Sequence, residues 1–202
     1  MQDSRLNIFK HELGHSLDLP HSSRWHDGAN DEYGDSSTPM GNCQRCAYAA
    51  PHLLQLGWAQ PLVMLSSAEL RPGVHVPLVL PALVDAPRSV AVIKVDWNLS
   101  EAQAQVPAGQ YAPLGPSPHL FLSFRIAKGQ DIGLPQDFNR AISVHSVASR
   151  GSNSYLEAAL KGGQVWESPA LGGLVVVAAD NGGGGVSVCR FRASLKECNA
   201  KA

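Results

Sequence analysis

Two histidines and a glutamate lie at a spacing that could bind and use a metal ion. They are His11, Glu12 and His15, in the segment HELGH. On a helix, residues four apart lie about 6 Å apart along the axis and roughly 40° apart around it, so His11 and His15 share one face. The same spacing allows Glu12 to reach a metal-bound water without ligating the metal. The segment therefore predicts two zinc ligands and the general base of a hydrolase. The alternative is a surface helix that carries two histidines by chance.

A third histidine, His21, follows six residues after His15. Three histidines leave the fourth position of a tetrahedral zinc ion open, as a catalytic zinc site requires. His26 and Asp27 are alternative sources of the third ligand, but His21 fits the motif spacing better. The predicted chemistry is attack of a zinc-activated water on a carbonyl group, with Glu12 accepting a proton.

The helix that positions these ligands is predicted over residues 4–17. Apolar residues recur on it at helical spacing and predict a buried face away from the metal side: Leu6, Phe9, Leu13 and Leu17. Gly14 costs about 1 kcal/mol of helix propensity, so its presence predicts that another part of the chain packs close to the backbone there. Pro20 disfavours the α conformation at Leu19, so the helix is expected to end near residues 17–18.

The composition indicates an apolar core and no strong charge. Of the 202 residues, 44% are hydrophobic, and the formal net charge is −1. No apolar run is long enough to span a membrane, and no basic excess indicates a nucleic acid or an anionic membrane as partner.

The four cysteines suit a secreted protein with one or two disulfides: Cys43, Cys46, Cys189 and Cys198. The CxxC pair could instead be half of a zinc ribbon, but the other pair lacks the matching spacing. Residues 98–100 form a glycosylation sequon, which is meaningful in a secreted protein.

Beyond the helix, a loop-rich stretch precedes a β-rich one. Residues 18–42 are rich in Gly, Asp, Asn and Ser, and a second helix is expected over Ala50–Leu56, with Pro51 in its first turn. From residue 60 onward short β-like runs alternate with Pro and Gly; the predicted strands are Leu62–Leu65, Val74–Leu80, Val90–Trp97, Leu120–Ile126, Ala141–Val147, Leu174–Ala178 and Gly185–Phe191. Their regular spacing favours an antiparallel sandwich. The predicted class is therefore α+β, with a domain over 1–59 and a β-rich C-terminal domain over 60–202.

Three stretches of the sequence resemble one peptidase family. They are HELGHSLDLPHS, EYGDSSTPMGN and RCAYAAPHLLQLGW, which are similar in order and spacing to gametolysin-type metallopeptidases. Members of that family are metzincins that act as extracellular-matrix and cell-wall lytic enzymes of green algae. The similarity is clearest over residues 8–58. Further along, LFLSFR, DIGLPQDFN and VSVCRF resemble the β-rich C-terminal part of the family.

The resemblance implies a role for each residue of the motif. His11, His15 and His21 would be the zinc ligands, and Glu12 the general base. Met40 would be the methionine of the turn that runs beneath the metal in metzincins, where a flexible, polarizable thioether packs under the histidines.

Other positions are expected to have structural roles. In the metzincin pattern HExxHxxGxxH a glycine stands at the position of Asp18. Aspartate tolerates a positive φ at a cost of about 1 kcal/mol or somewhat more. The stretch 33–35 (Tyr, Gly, Asp) matches the family pattern, and Cys46 is expected in a disulfide whose partner is open. The remaining histidines show no cluster spacing: His52, His75, His119 and His145. His52 lies in the family-like APH stretch, which leaves a role at the site open for it, and the other three are predicted to be strand or loop residues.

The resemblance also implies a fold and a function. In the family an upper half with a substrate-pairing strand precedes the zinc helix, and only ten residues precede His11 here. The chain is therefore expected to be N-terminally truncated: the lower half of a metzincin catalytic domain, then a sandwich-like domain. The expected function is a secreted zinc endopeptidase acting on extracellular-matrix or cell-wall proteins or glycoproteins. One alternative is an inactive truncated remnant that serves as a β-sandwich binding module, and another is a zinc hydrolase of a different substrate class.

Overall fold

The computed structural model describes residues 3–26, 28–43, 45–97, 118–149, 151–171 and 173–199. Its helices are α1 (Asp3–Ser16), α2 (Ala50–Gln55) and α3 (Lys196–Asn199), with 3-10 turns at Gly129–Asp131 and Pro169–Leu171. In this part of the chain the strands are β1 (Ser22–His26), β2 (Ala29–Asp31), β3 (Gln60–Leu65), β4 (His75–Val79), β5 (Arg88–Lys94), β6 (His119–Arg125), β7 (Ala141–Val147), β8 (Ser154–Leu160), β9 (Val165–Ser168), β10 (Leu174–Ala178) and β11 (Gly185–Arg190). The sequon at 98–100 lies outside the described residues.

Helix α1 ends where the sequence predicts, through a left-handed residue. Asp18 has φ 62°, the conformation for which glycine is the usual residue. Its N–H donates to His15 O at 3.0 Å, and the N–H of Leu19 donates to Gly14 O at 3.0 Å. This pair of bonds is the Schellman pattern, which satisfies carbonyl groups of the last turn. The chain can then reverse direction towards His21.

The prediction of a buried apolar face on α1 is wrong for the side chains that the structure describes. Phe9 is 63% exposed, and Leu13 and Leu17 are each 38% exposed. The side of α1 that packs inward is instead the one that carries Gly14, which lies against Met40 and Tyr48. The backbone of α1 at Gly14 makes the close contact with the rest of the protein. The side of the helix that carries Phe9, Leu13 and Leu17 therefore faces solvent.

Two sheets form the rest of the structure. A seven-stranded sheet has the order β2-β1-β8-β7-β6-β5-β3, and a four-stranded antiparallel sheet has the order β4-β11-β10-β9. The larger sheet is mixed, because β1 pairs with β8 and β3 pairs with β5 in parallel. Both sheets contribute to one cluster of buried apolar side chains, which includes Ile93, Leu120, Leu122 and Val144 from the larger sheet and Leu174, Val176 and Val188 from the smaller one. Burial of this cluster stabilises the stacked arrangement.

The predicted α+β class is confirmed, and most of the strands form where the local sequence pattern predicts them. Seven of the strands overlap the predicted ones, and α2 forms where Pro51 predicts a helix start. Strands β1, β2, β8 and β9 are absent from the prediction. Their sequences, such as SYLEAAL in β8, lack the β-branched alternation that marks a strand, and pairing with neighbours decides their conformation. The expectation of a purely antiparallel sandwich is corrected by the two parallel pairs in the larger sheet.

The predicted boundary between residues 59 and 60 stays a prediction. Strand β1 lies before it and β8 after it, and the two pair from Ser22 with Ser154 onward. The helix that carries the histidine motif is therefore followed by a strand that belongs to the large sheet.

The cysteines form two short-range disulfides, Cys43–Cys46 and Cys189–Cys198. The partner of Cys46 is thus Cys43, and the zinc-ribbon alternative is not what the structure contains. Among the described helices, none is long and apolar enough to cross a membrane.

Candidate active site

The three predicted ligands converge on one point. Helix α1 presents His11 and His15, whose Nε2 atoms lie 3.1 Å apart. The turn after α1 brings His21 alongside, with its Nε2 3.0 Å from the Nε2 of His15. One ligand atom from each of the three lies within 4.8 Å of the others. Zn–N bonds of about 2.05 Å at tetrahedral angles imply N–N separations of about 3.3 Å, so the cluster has the dimensions of a zinc site.

The other ring nitrogen of each histidine faces an oxygen. Nδ1 of His11 lies 2.8 Å from Pro39 O, and Nδ1 of His15 lies 3.0 Å from Leu19 O. Nδ1 of His21 lies 2.7 Å from a carboxylate oxygen of Glu32. Since carbonyl and carboxylate oxygens only accept, these contacts place the proton on Nδ1 and leave the Nε2 lone pairs directed at the shared point. This is how neutral imidazoles are oriented around a metal ion, and the three histidines therefore fit one.

Glu12 stands beside the cluster and not within it. Its side chain is exposed and lines an open cleft of about 350 Å³ together with His11, Tyr33 and Asn42. The acid is therefore available to a water or a substrate that enters the cleft. The role of Glu12 as a general base stays a prediction.

Tyr33 forms one wall of the same cleft. Its ring centroid lies 4.5 Å from that of His21 and 5.8 Å from that of His11. Sequence reasoning gave Tyr33 a structural role only, because a single tyrosine in a loop carries no spacing signal. The structure adds that this residue contacts two rings of the cluster.

Met40 lies beneath α1, as the sequence indicates for this position. It is fully buried, and its side chain lies against Gly14 so closely that a Cβ on the glycine would collide with the Met40 Sδ. The close packing predicted at Gly14 is thus confirmed. The preceding residue, Pro39, supplies the carbonyl that orients His11. The loop under the helix therefore both supports α1 and fixes one ligand.

His26, one of the two alternative third ligands, does not join the cluster among the described residues. Within the described part of the chain, the group of residues able to hold one metal ion contains His21 and omits His26. His26 lies at the far end of β1, five residues beyond His21. Asp27 lies outside the described residues.

A buried polar network, which the sequence analysis missed, lies next to the cluster. The Asp35 carboxylate is fully buried and accepts hydrogen bonds from Ser22 Oγ at 2.7 Å and from His145 Nε2 at 3.0 Å. It also accepts from the backbone N–H and the hydroxyl of Ser37, at 2.9 and 2.6 Å. Burial on its own raises the pKa of Asp35. The hydrogen bond and the charge of His145, with the two hydroxyl groups, outweigh burial and lower the pKa to about 2. The carboxylate is therefore ionised inside the protein.

His52 extends this network on the other side. Its Nε2 lies 3.4 Å from Ser154 Oγ, which donates to Ser22 Oγ at 2.8 Å. Burial, followed by the charge of His145, lowers the pKa of His52 to about 3. His52 is therefore neutral in the folded protein. His52 and His145 follow Asp35 by 17 and 110 residues, and no local pattern could have predicted their proximity.

Convergent histidines with an adjacent acid in an open cleft are an arrangement that metal-dependent hydrolases use. The sequence profile described as "Gametolysin peptidase M11" matches residues 2–168, so the chain belongs to the gametolysin peptidase family. Membership implies a metallopeptidase and hence a bound metal, for which the histidine cluster supplies the donors. The searches of curated proteins and of solved structures found no match.

Proposed function

We propose that the chain is a zinc-dependent endopeptidase that hydrolyses peptide bonds of extracellular-matrix or cell-wall proteins. The observation that carries this proposal is the convergence of the three Nε2 atoms beside Glu12, in a member of a peptidase family. Three nitrogen donors with an open side suit zinc better than the oxygen-preferring ions magnesium and calcium. His11, His15 and His21 would hold the ion.

The chain's own residues would supply the binding geometry and the proton transfers. When bound, zinc would polarise the scissile carbonyl group and lower the pKa of a coordinated water towards about 7. The Glu12 carboxylate would accept a proton from the attacking water and deliver it to the amide nitrogen that leaves. Pro39, Leu19 and Glu32 hold the imidazole rings by their Nδ1 atoms, so little rearrangement is needed as the reaction proceeds.

Both disulfides support a secreted location. Disulfides persist in oxidising compartments outside the cytosol, and the described cysteines are all paired. A secreted peptidase would meet extracellular proteins and glycoproteins as substrates. The formal net charge of −1 gives no reason to expect a nucleic acid or an anionic membrane surface as partner.

The test replaces the proposed base and keeps the proposed ligands. Wild-type protein loaded with zinc should contain about one ion per chain and cleave an unstructured protein substrate such as casein. Glu12→Ala should retain the ion, because Glu12 is not in the ligand cluster, and should lose at least about a hundredfold in turnover. Metal content is measured by elemental analysis, and cleavage by release of labelled peptides.

The matched control is Glu167→Ala, which removes an exposed acid on β9 in the smaller sheet. It should change neither zinc content nor turnover. Undiminished cleavage by Glu12→Ala would refute the role of Glu12 as the base. Wild-type protein that binds zinc but cleaves nothing would refute the peptidase proposal and favour the binding-module alternative.

A further inference from the structure

The third histidine of the cluster depends on contacts made far along the chain. Helix α1 fixes the other two in relation to each other, whereas His21 lies in the turn that leads into β1. The next residue, Ser22, donates its N–H to Met40 O at 2.9 Å and its hydroxyl to the Asp35 carboxylate at 2.7 Å. The carbonyl of His21 accepts from the N–H of Ser154 at 3.1 Å. The position of this histidine is therefore set by the Asp35–Met40 loop and by β8.

Asp35 also fixes the loop that orients the first histidine. Its carboxylate holds Ser37 by two hydrogen bonds, and two residues further on Pro39 supplies the carbonyl at Nδ1 of His11. The turn is tight: a Cβ on Gly41 would lie 2.9 Å from the carbonyl oxygen of Ser22 and would collide with the carbonyl of Asp35. The Asp35 carboxylate thus connects the hydrogen bonds that position His11 with those that position His21.

Burying the charged Asp35 carboxylate at this place is energetically unfavourable, and the need to pack the core does not explain why it is there. Asp35 and His145 are both fully buried, and removing a charged carboxylate from water costs several kcal/mol before its hydrogen bonds and pairing offset that cost. Apolar residues of similar volume would hold the loop against the sheet at least as firmly, but without directional bonds. The hydrogen bonds to Asp35 allow one relative position of the loop, β1 and β7.

We propose that Asp35, held by His145, is a positioning residue of the metal centre, which fixes His21 relative to His11 and thereby sets the affinity for zinc. Asp35 does not touch the cluster itself and acts through Ser22 and through the loop up to Pro39. This inference rests on the proposed function in one respect, namely that the histidine cluster binds zinc.

The experiment compares zinc affinity in two variants that each neutralise one acid. Asp35→Asn keeps the shape of the side chain and removes its charge. Glu157→Gln is the matched control, because Glu157 is a partly buried acid on β8 that accepts from Ser146 and contacts neither Ser22 nor the loop among its described hydrogen bonds. Zinc dissociation constants are measured by competition with a chromophoric chelator. The measurement is made at a temperature where the metal-free proteins are folded, as judged by circular dichroism and thermal unfolding.

Asp35→Asn is expected to weaken zinc binding roughly ten- to a hundredfold, the usual effect of losing an outer support of a metal ligand. Glu157→Gln should stay within about twofold of wild type. A merely structural role for Asp35 would lower the unfolding temperature and leave the zinc affinity of the folded protein unchanged, which would overturn the proposal.

If Asp35→Asn does not fold, Ser22→Ala takes its place, because it removes one hydroxyl and keeps the buried hydrogen bond between Asp35 and His145. Weaker zinc binding by folded Ser22→Ala supports the proposal, and unchanged binding overturns it. Wild-type protein that binds no zinc would refute the proposed function and this inference with it. Zinc binding by wild type with equal affinity in the variants would refute the positioning role alone.

Discussion

Replacing Gly14 by alanine should destabilise this protein, although the same change stabilises an ordinary helix. Alanine is favoured over glycine within a helix by about 1 kcal/mol. Here, however, the added Cβ would collide with the Sδ of Met40 and would lie 3.2 Å from its Cε and 3.4 Å from Cε1 of Tyr48. Met40 is fully buried and cannot swing into solvent to make room.

The magnitude follows from two opposing effects. Inserting a methyl group into a filled core typically costs about 1–3 kcal/mol, and the gain in helix propensity offsets about 1 kcal/mol of it. Gly14→Ala should therefore lower the free energy of unfolding by about 0–2 kcal/mol. In a Met40→Ala background the colliding side chain is absent, so Gly14→Ala should raise the free energy of unfolding by about 1 kcal/mol. The sign of the effect should reverse between the two backgrounds.

Urea unfolding of the four metal-free proteins measures this double-mutant cycle. Met40→Ala alone should cost about 2–5 kcal/mol, as large-to-small changes in a core do. The coupling between the two positions should equal the overpacking cost, about 1–3 kcal/mol. If Gly14→Ala stabilises the wild-type background by about 1 kcal/mol and the Met40→Ala background by the same amount, the close packing of α1 on Met40 is refuted.

Two further predictions concern buried ionisable groups. Because burial lowers the pKa of His52 to about 3 and an unfolded histidine titrates near 6.5, the unfolded chain binds the proton first, and the contribution of neutral His52 is complete above pH about 6.5. The free energy of unfolding should then fall by up to about 1.4 kcal/mol per pH unit as the pH drops from about 6.5 towards 3. Urea titrations at several pH values should show a smaller slope for His52→Gln, and an unchanged slope would contradict the effect of burial. Arg125→Met should cost about 3–5 kcal/mol, because it leaves the fully buried Asp131 carboxylate without its ion-pair partner. Lys128→Met breaks the exposed pair with Asp85 and should cost less than about 1 kcal/mol, so equal losses in the two variants would contradict this reasoning.

The parts of the site that could be predicted are those that local chain geometry determines. Helical spacing alone places His11 and His15 on one face, and Pro20 requires the helix to stop before the third histidine. The left-handed conformation of Asp18 and the contact at Gly14 follow from the same local argument, since each residue is unfavourable there without a structural reason. For these residues, the neighbours within a few positions in the sequence determine most of the local backbone structure.

The apolar face of α1 shows where local reasoning fails. Periodicity predicts that Phe9, Leu13 and Leu17 share a side, which is a statement about the helix alone. Which side meets the rest of the protein depends on the loop at Met40, about thirty residues away, and on Gly14, whose missing side chain permits the contact. The sequence analysis did not predict strands β1 and β8 for a similar reason. Their pairing joins Ser22 to Ser154, and no pattern within either segment specifies a partner 132 residues distant.

The network around Asp35 was the least predictable part of the site. His145 was correctly placed in a strand, but its role depends on an aspartate 110 residues earlier. A motif such as HExxH specifies which atoms can bind a metal ion, whereas affinity depends on how firmly the third histidine is held in line with them. In this chain that third position is fixed by hydrogen bonds between a loop and two strands of the large sheet. Zinc affinity should therefore be sensitive to substitution of His145 in β7, which bonds Asp35 from a position far in sequence from the metal-binding histidines.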